Sequence, residues 1–181
     1  SDMISQISDN IENINASKIL NTIGSDERVG KKYLSLGAKF AGPCFPRDNL
    51  NLIKFLKKNK SAYALPAATD NVNNKQLQRY IELFNKVKTK INGKIVVGIC
   101  GLSYKDNTNL NTKSPGLMLF NKLKKDYHTI TFDSLLPDNY NKLNFVSDFN
   151  IFLKKSDIIF VCYKNNRFKK IEKFKTNNKK I

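Results

Sequence analysis

The sequence predicts an α/β chain in two units, all-helical over residues 1–92 and built on a parallel sheet, Rossmann-like in outline, over residues 93–181. Three observations carry that reading. Apolar residues recur at steps of three and four through residues 4–89, the period of an amphipathic helix. At Gly93 the pattern switches to Lys94-Ile-Val-Val-Gly-Ile-Cys-Gly101, a short β-branched run of the kind that forms a buried strand. Beyond it strands alternate with helices, which builds a parallel sheet with helices on its faces.

The first helix is expected to run from Ile4 through Ile7, Ile11, Ile14, Ile19 and Leu20 to Ile23, stopped by Gly24, and its opening residues read as cut rather than begun. Residues 25–45 hold three glycines and no sustained period, so they form a loop-rich connection up to Cys44. Pro46 opens the next helix, where its missing N–H is harmless, with Leu50, Ile53 and Leu56 on one face. A longer helix from about Ala67 to Thr89 carries Val72, Leu77, Tyr80, Ile81, Phe84 and Val87 on one stripe. In the second unit, Ser114-Pro115 starts a helix with Ser as cap and Pro at the first position. Strands follow at Thr129 to Asp133, at Asn144 to Ser147 and at Asp157 to Tyr163, with a helix at Phe149 to Lys155 and a Lys-rich tail.

Composition excludes several classes. With 40% hydrophobic residues in 181, the chain has the apolar material for a packed core. No apolar run approaches the roughly 18 to 20 residues of a membrane span, so a cytoplasmic protein without a membrane partner is expected. The net charge of +17 raises nucleic-acid binding. It comes, however, from 28 lysines against four arginines (Arg28, Arg47, Arg79, Arg167), alongside 24 asparagines. Arginine is what base and phosphate readout favours, so the charge reads as a solvated surface. Cys44, Cys100 and Cys162 are too scattered for a disulfide framework and, with one histidine, His128, make no zinc spacing. Cys100 and Cys162 lie in apolar strands as inert core residues, and His128 opens a strand and is exposed.

Tyr33-Leu-Ser-Leu-Gly-Ala-Lys-Phe-Ala-Gly-Pro-Cys-Phe-Pro-Arg-Asp48 is the informative stretch. A cysteine just before a helix N-terminus, with Arg47 close by, is placed where the thiolate is favoured, and Asp48 one turn on is placed to orient a water or a base. The spacing equally allows Cys44 to be a small buried hydrophobe and Asp48 a helix cap. Gly98-x-x-Gly101 alone is a weak phosphate-loop signal, being more often a strand-to-helix turn. Lys105, just past the carboxyl end of a strand, is where an open α/β sheet would bind a phosphate.

Five motifs in order then resemble the UDP-glucose/GDP-mannose dehydrogenase family. Phe40-Ala-Gly-Pro-Cys-Phe-Pro-Arg-Asp48 is similar to its G-F-G-G-S-C-F-P-K-D, Asp26-Glu-Arg-Val-Gly30 to its D-P-R-I-G, and Tyr33-Leu-Ser-Leu-Gly37 to its F-L-N-P-G. Asn71 to Gln76 resembles the N-x-x-Q region of its central helix, and Gly98-Ile-Cys-Gly-Leu-Ser-Tyr-Lys-Asp-Asn-Thr108 with Ser114-Pro115 resembles G-x-x-G-L-x-F-K-x-x-T and the following S-P. The resemblance implies a helical dimerisation domain followed by a nucleotide-sugar-binding domain, a homodimer through the long helix, and NAD-dependent oxidation of a nucleotide sugar to a uronic acid. UDP-glucose is favoured by the Phe-Pro after the cysteine. Carried over by position, Cys44 is the nucleophile and Asp48 assists water. Tyr33, Leu34, Ser35, Leu36, Gly37, Ala41 and Lys105 contact substrate, Lys105 at the diphosphate, Arg28 reaches the sugar nucleotide of the neighbouring subunit, and Arg47 and Thr112 stand at the cofactor. No metal is implied. The departures are Lys39 and Ala41 in place of glycines, and Thr108-Asn-Leu-Asn-Thr-Lys-Ser-Pro115 in place of T-D-D-x-R-E-S-P, so that Thr112 replaces arginine and Lys113 glutamate. The family's G-x-G-x-x-G domain and the helix bearing its catalytic Lys and Asn are not among these residues, so the chain is expected to be a C-terminal part of such an enzyme. A non-catalytic nucleotide-sugar-binding or dimerisation module of the same descent is the alternative.

Overall fold

The computed structural model describes residues 1–34, 36, 39–135, 141–172 and 174. The single helix expected at the start is two: α1 (Asp2–Asn10) and α2 (Ala16–Ile23). The apolar period runs across the break, but asparagine chemistry overrides it. Asn13 takes the left-handed φ of 65°, and the Asn15 side chain accepts the Lys18 N–H at 2.9 Å, capping α2. Gly24 ends α2 as expected.

Two helices follow the loop-rich connection: α3 (Phe45–Lys58), with Pro46 in its first turn, and α4 (Ala64–Lys88), which pack on each other. At 25 residues α4 is about 37 Å long. Its middle is tied to α1 by Arg79, whose guanidinium donates to both Asp9 carboxylate oxygens.

The sheet is parallel with order β2-β1-β3, from β1 (Val96–Cys100), β2 (His128–Phe132) and β3 (Ile158–Val161). Val97 pairs with Thr129 on one side and Ile158 on the other. One face is covered by α5 (Pro115–Leu123) and the last turns of α4. Phe84, Val97, Ile99, Leu102, Leu119, Phe120 and Leu123 form this buried cluster, each at most 3% exposed. The other face is covered by α6 (Phe149–Lys155), with Phe132, Phe152 and Leu153 at its centre.

One expectation needs correction. The strand at Asn144 to Ser147 is a single bridge, Thr131 to Phe145, beside β2. A 3₁₀ turn over Asn141–Leu143 and a left-handed Asn144, φ 48°, leave no room for a longer ladder. The Lys-rich tail after β3 carries structure of its own. Residues 166–169 form a 3₁₀ turn that continues into a helical turn, and Phe168 and Ile171 are buried against the second cluster. Phe168, its ring centre 5.3 Å from that of Tyr163, and Ile171 outweigh the surrounding lysines, whose charges stay in water.

Candidate active site

The segment before α3 is held at two points. The Phe40 N–H donates to Asn73 Oδ1 at 2.7 Å, and Asn73 Nδ2 donates back to the Phe40 carbonyl at 3.2 Å. Asn73 is a buried residue of α4, so this loop strand is registered against the helix by one amide. Two residues on, the Gly42 N–H donates to the Thr112 carbonyl at 2.9 Å. Gly42 has φ of 89°, and a Cβ there would stand 2.7 Å from the Tyr104 ring. Glycine is required at this position by backbone conformation and by close approach together.

Cys44 is the N-cap residue of α3 and is exposed, which removes the buried-hydrophobe reading. The Asp48 N–H donates to its carbonyl at 2.8 Å, and Arg47 Nε donates to Asp48 Oδ1 at 2.8 Å, with both side chains more than half exposed. The Asp48 carboxylate, and behind it Cys44, push the Arg47 pKa up through hydrogen bonds and charge. Arg47 therefore sits between the sulfur and the carboxylate, and in this arrangement Asp48 holds Arg47.

The opposite wall is the β1–α5 loop, whose shape is set by Asp133 directly after β2. Asp133 is 3% exposed. Its Oδ2 accepts the Leu102 N–H at 2.7 Å, the Ser103 N–H at 3.0 Å and the Ser103 hydroxyl at 3.2 Å, and its Oδ1 accepts the Leu135 N–H at 3.0 Å. Ser114 caps α5, accepting from the Leu117 N–H at 3.4 Å. Gly116 packs so closely on the Gly101 carbonyl that a Cβ there would overlap it. The loop closes with the Tyr104 N–H on the Leu110 carbonyl at 2.9 Å, leaving Lys105 exposed with its ammonium 5.4 Å from the Tyr104 ring centre. Asn165 donates to Asp106 at 2.7 Å, tying the segment after β3 to the same loop.

The structure thus sets Gly42, which stands between Ala41 and Cys44 in the chain, against Thr112 and against Tyr104, the neighbour of Lys105, across one seam. It does not bring Arg28 or Tyr33 there. Arg28 is 89% exposed and paired with Asp26 at 2.6 Å, while Tyr33 is 84% exposed. Leu34 is half-buried, and Leu36 lines a cavity of about 380 Å³ with Arg79, Tyr80 and Tyr163. Ser35 and Gly37 lie outside the described residues. Asn73 lay within the Asn71 to Gln76 motif without a role assigned to it, and Asp133 entered only as the end of a strand. The signals were a polar pair, Asn73 and Gln76, inside the apolar stripe of α4, and an acid at a strand's carboxyl end. Both are buried residues whose side chains serve backbone groups.

Cys100 and Cys162 are buried, in clusters on opposite faces of the sheet. Burial pushes the Cys162 thiol up to about 12, with the Asp133 charge adding to it. His128 opens β2 and is exposed. Among the described residues no cluster of three His, Cys, Asp or Glu suits a metal ion, and no helix is long and apolar enough to cross a membrane.

Comparison with known proteins places this architecture. Residues 1–75 match the family model for the UDP-glucose/GDP-mannose dehydrogenase family, central domain. The UDP-glucose 6-dehydrogenase TuaD of Bacillus subtilis is 30% identical over 109 residues, covering 60% of this chain and 23% of TuaD. The UDP-glucose 6-dehydrogenase of Rickettsia conorii is 26% identical over 180 residues, covering 94% of this chain and 40% of that protein. The chain therefore spans less than half the length of these relatives. Among solved structures, UDP-D-ManNAc dehydrogenase from Pyrococcus horikoshii superposes with a TM-score of 0.79 at 17% identity, covering 97% of this chain and 40% of that one. That likeness, at such low identity, speaks for the fold. With the matched central domain and the ordered motifs around Cys44 and Lys105, the UDP-glucose 6-dehydrogenase of Rhizobium meliloti, 30% identical over 146 residues covering 77% of this chain and 33% of that protein, means that the chain belongs to the UDP-glucose/GDP-mannose dehydrogenase family.

Proposed function

We propose that this chain is the nucleophile-bearing and sugar-nucleotide-binding part of an NAD-dependent dehydrogenase that oxidises the primary alcohol of a UDP-hexose, UDP-glucose foremost, to the uronic acid. The observation that carries the reading is the seam itself: the Gly42–Thr112 hydrogen bond and the Tyr104 ring on Gly42 hold the exposed Cys44 segment against the loop that presents Lys105. Division at residue 92, with the helical unit as dimerisation domain, belongs to the same proposal, as do a homodimer and a cytoplasmic location. Exposed Leu52, Phe55 and Leu65 on α3 and α4 support the dimer.

In this reading the exposed Lys105, a cation on the β1–α5 loop, holds the diphosphate. The alcohol carbon first gives up a hydride and its hydroxyl a proton, leaving an aldehyde; Cys44 sulfur then bonds to that carbon while the carbonyl oxygen takes up the thiol proton, giving a thiohemiacetal. Loss of a second hydride from that carbon and of the proton from its hydroxyl leaves a thioester. Water then adds, the C–S bond breaks, and the carboxylate leaves with the thiol restored. Asp48 takes the proton of that water once Arg47 releases its carboxylate. NAD, when bound, supplies the acceptor for the electrons. This chain's own residues fit a contact at its rim, through the exposed Arg47 and Thr112, and no more. The β1–α5 turn is closed by Asp133 and by the Gly101–Gly116 contact. The Arg47–Asp48 pair also favours a second reading, a module that holds the nucleotide sugar without turnover.

The test is calorimetric titration of the chain with UDP-glucose and with a random oligonucleotide at low and moderate salt. Specific UDP-glucose binding that falls about tenfold or more in Lys105→Ala is expected, the range for a charge-assisted bond. Salt-sensitive oligonucleotide binding with no UDP-glucose signal would overturn the assignment.

A further inference from the structure

At each wall of the seam a cation directly precedes an aspartate, and the two pairs resolve differently. Arg47 and Asp48 close on each other, Nε to Oδ1 at 2.8 Å. Lys105 and Asp106 do not, and among the described residues Lys105 forms no ion pair at all. The Asp106 carboxylate is taken from elsewhere. Its Oδ1 accepts the Asn107 N–H at 2.8 Å and, from 59 positions away in the chain, the Asn165 side-chain amide at 2.7 Å.

The direction of that amide is set by its own turn. Asn165 Oδ1 accepts the Arg167 N–H at 2.7 Å, capping the 3₁₀ turn that follows β3. A backbone N–H can meet only the amide oxygen, so the amino end faces Asp106. The turn is pinned in its place, because Phe168 and Ile171 are 4% and 5% exposed and the Phe168 ring stands against Tyr163, which itself packs on Gly101 at the start of the β1–α5 loop. The donor thus comes from a fixed base, and being neutral it engages a carboxylate without placing another charge beside Lys105. Asp106 falls at an open position of the resembling motif G-x-x-G-L-x-F-K-x-x-T, so the tie is no part of that resemblance.

We propose that Asn165 is a positioning residue for Lys105: by holding the Asp106 carboxylate it withholds from Lys105 the acid next to it in the chain, and leaves the ammonium available to the anionic group of a ligand. That this ligand is a nucleotide sugar rests on the function proposed above; the withholding of Asp106 does not. Released, Asp106 competes for Lys105 as Asp48 does for Arg47.

The experiment is calorimetric titration of the chain with UDP-glucose and with inorganic pyrophosphate, as wild type, Asn165→Ala, Asp106→Asn, the double variant and Lys105→Ala. Asn165→Ala is expected to weaken binding about threefold to fivefold, the scale of an exposed ion pair that the ligand has to break. Asp106→Asn removes the competitor, so alone it binds at least as well as wild type and in the double variant it restores the loss. A tie that merely props up the loop gives the opposite result: the double variant stays as weak as Asn165→Ala, and the proposal is overturned. Asn165→Ser keeps an acceptor for the Arg167 N–H but is too short to reach Asp106, so it carries the test if Asn165→Ala loosens the turn. Lys105-dependent UDP-glucose binding that Asn165→Ala leaves unchanged overturns the role of Asn165 and leaves the function standing. Lys105-dependent pyrophosphate binding that follows the expected order, with no UDP-glucose signal, does the reverse. If wild type binds neither probe, both fall.

Discussion

The two walls of the seam are held by different chemistry. On the Cys44 side a neutral amide, Asn73, satisfies one donor and one acceptor of a single residue, Phe40. On the Lys105 side a buried carboxylate, Asp133, gathers three N–H groups and a hydroxyl from Leu102, Ser103 and Leu135. An amide offers both polarities and suits a stretch of chain running past it. A carboxylate offers acceptors only and suits a turn whose N–H groups converge. The Cys44 wall is accordingly registered at one point with freedom on either side, and the Lys105 wall is fixed around a hub.

The comparison breaks most readily at the hub. Asp133→Ala leaves several buried donors without acceptors, and a loss of about 3 to 5 kcal/mol in urea unfolding is expected. Asp133→Asn should recover part of it while UDP-glucose affinity stays depressed. Equal stability of Asp133→Ala and wild type would mean the loop holds itself. At the other wall, Asn73→Ala should cost about 1 to 2 kcal/mol, the scale of two modest bonds to one residue. Its signature is separate: the alkylation rate of Cys44 should change with UDP-glucose affinity nearly intact. A drop in affinity matching that of Asp133→Asn would show that the walls are not independent.

The smallest effect is in pH. Burial lowers Lys39 from 10.5, so between its folded value and 10.5 the unfolded chain holds a proton the folded chain lacks, and this group's contribution to stability rises with pH through that window. Cys100 and Cys162, raised from 9.0 by burial, act oppositely: above pH 9 the folded chain keeps protons the unfolded chain has lost, and stability falls. The difference between wild type and Lys39→Met isolates the first term. Wild-type stability that gains nothing relative to Lys39→Met as pH rises toward 10 would show that Lys39 is not desolvated.

Much of this was legible in the sequence. The β-branched run into Gly101, Ser114-Pro115 as a cap and Phe149 to Lys155 as a helix are local patterns, and local patterns survive tertiary contact. The motifs around Cys44 and Lys105 located both walls. What stayed hidden depends on distant partners. Asn13 and Asn15 broke a helix that the apolar period carried through, because a period does not register side chains that bond the backbone. Phe168 and Ile171 were masked by neighbouring lysines. Asn73 and Asp133 act on residues about thirty positions away, so only folding reveals what they serve, and Lys39 is exceptional only once its surroundings are known.

The reach of α4 has a consequence for how this protein can be taken apart. Phe84, 2% exposed, belongs to the cluster on the sheet face together with Val97 and Leu119, and Leu77, Tyr80 and Ile81 pack against it. A piece beginning at residue 93 would be severed from part of its own lid, and the apolar surface that α4 covers on that face, beside α5, would be laid bare. Such a fragment should precipitate or pair with copies of itself, whereas one that begins at Ala64 brings the covering helix along. The place where the sequence changes character and the place where the chain can be cut lie about thirty residues apart.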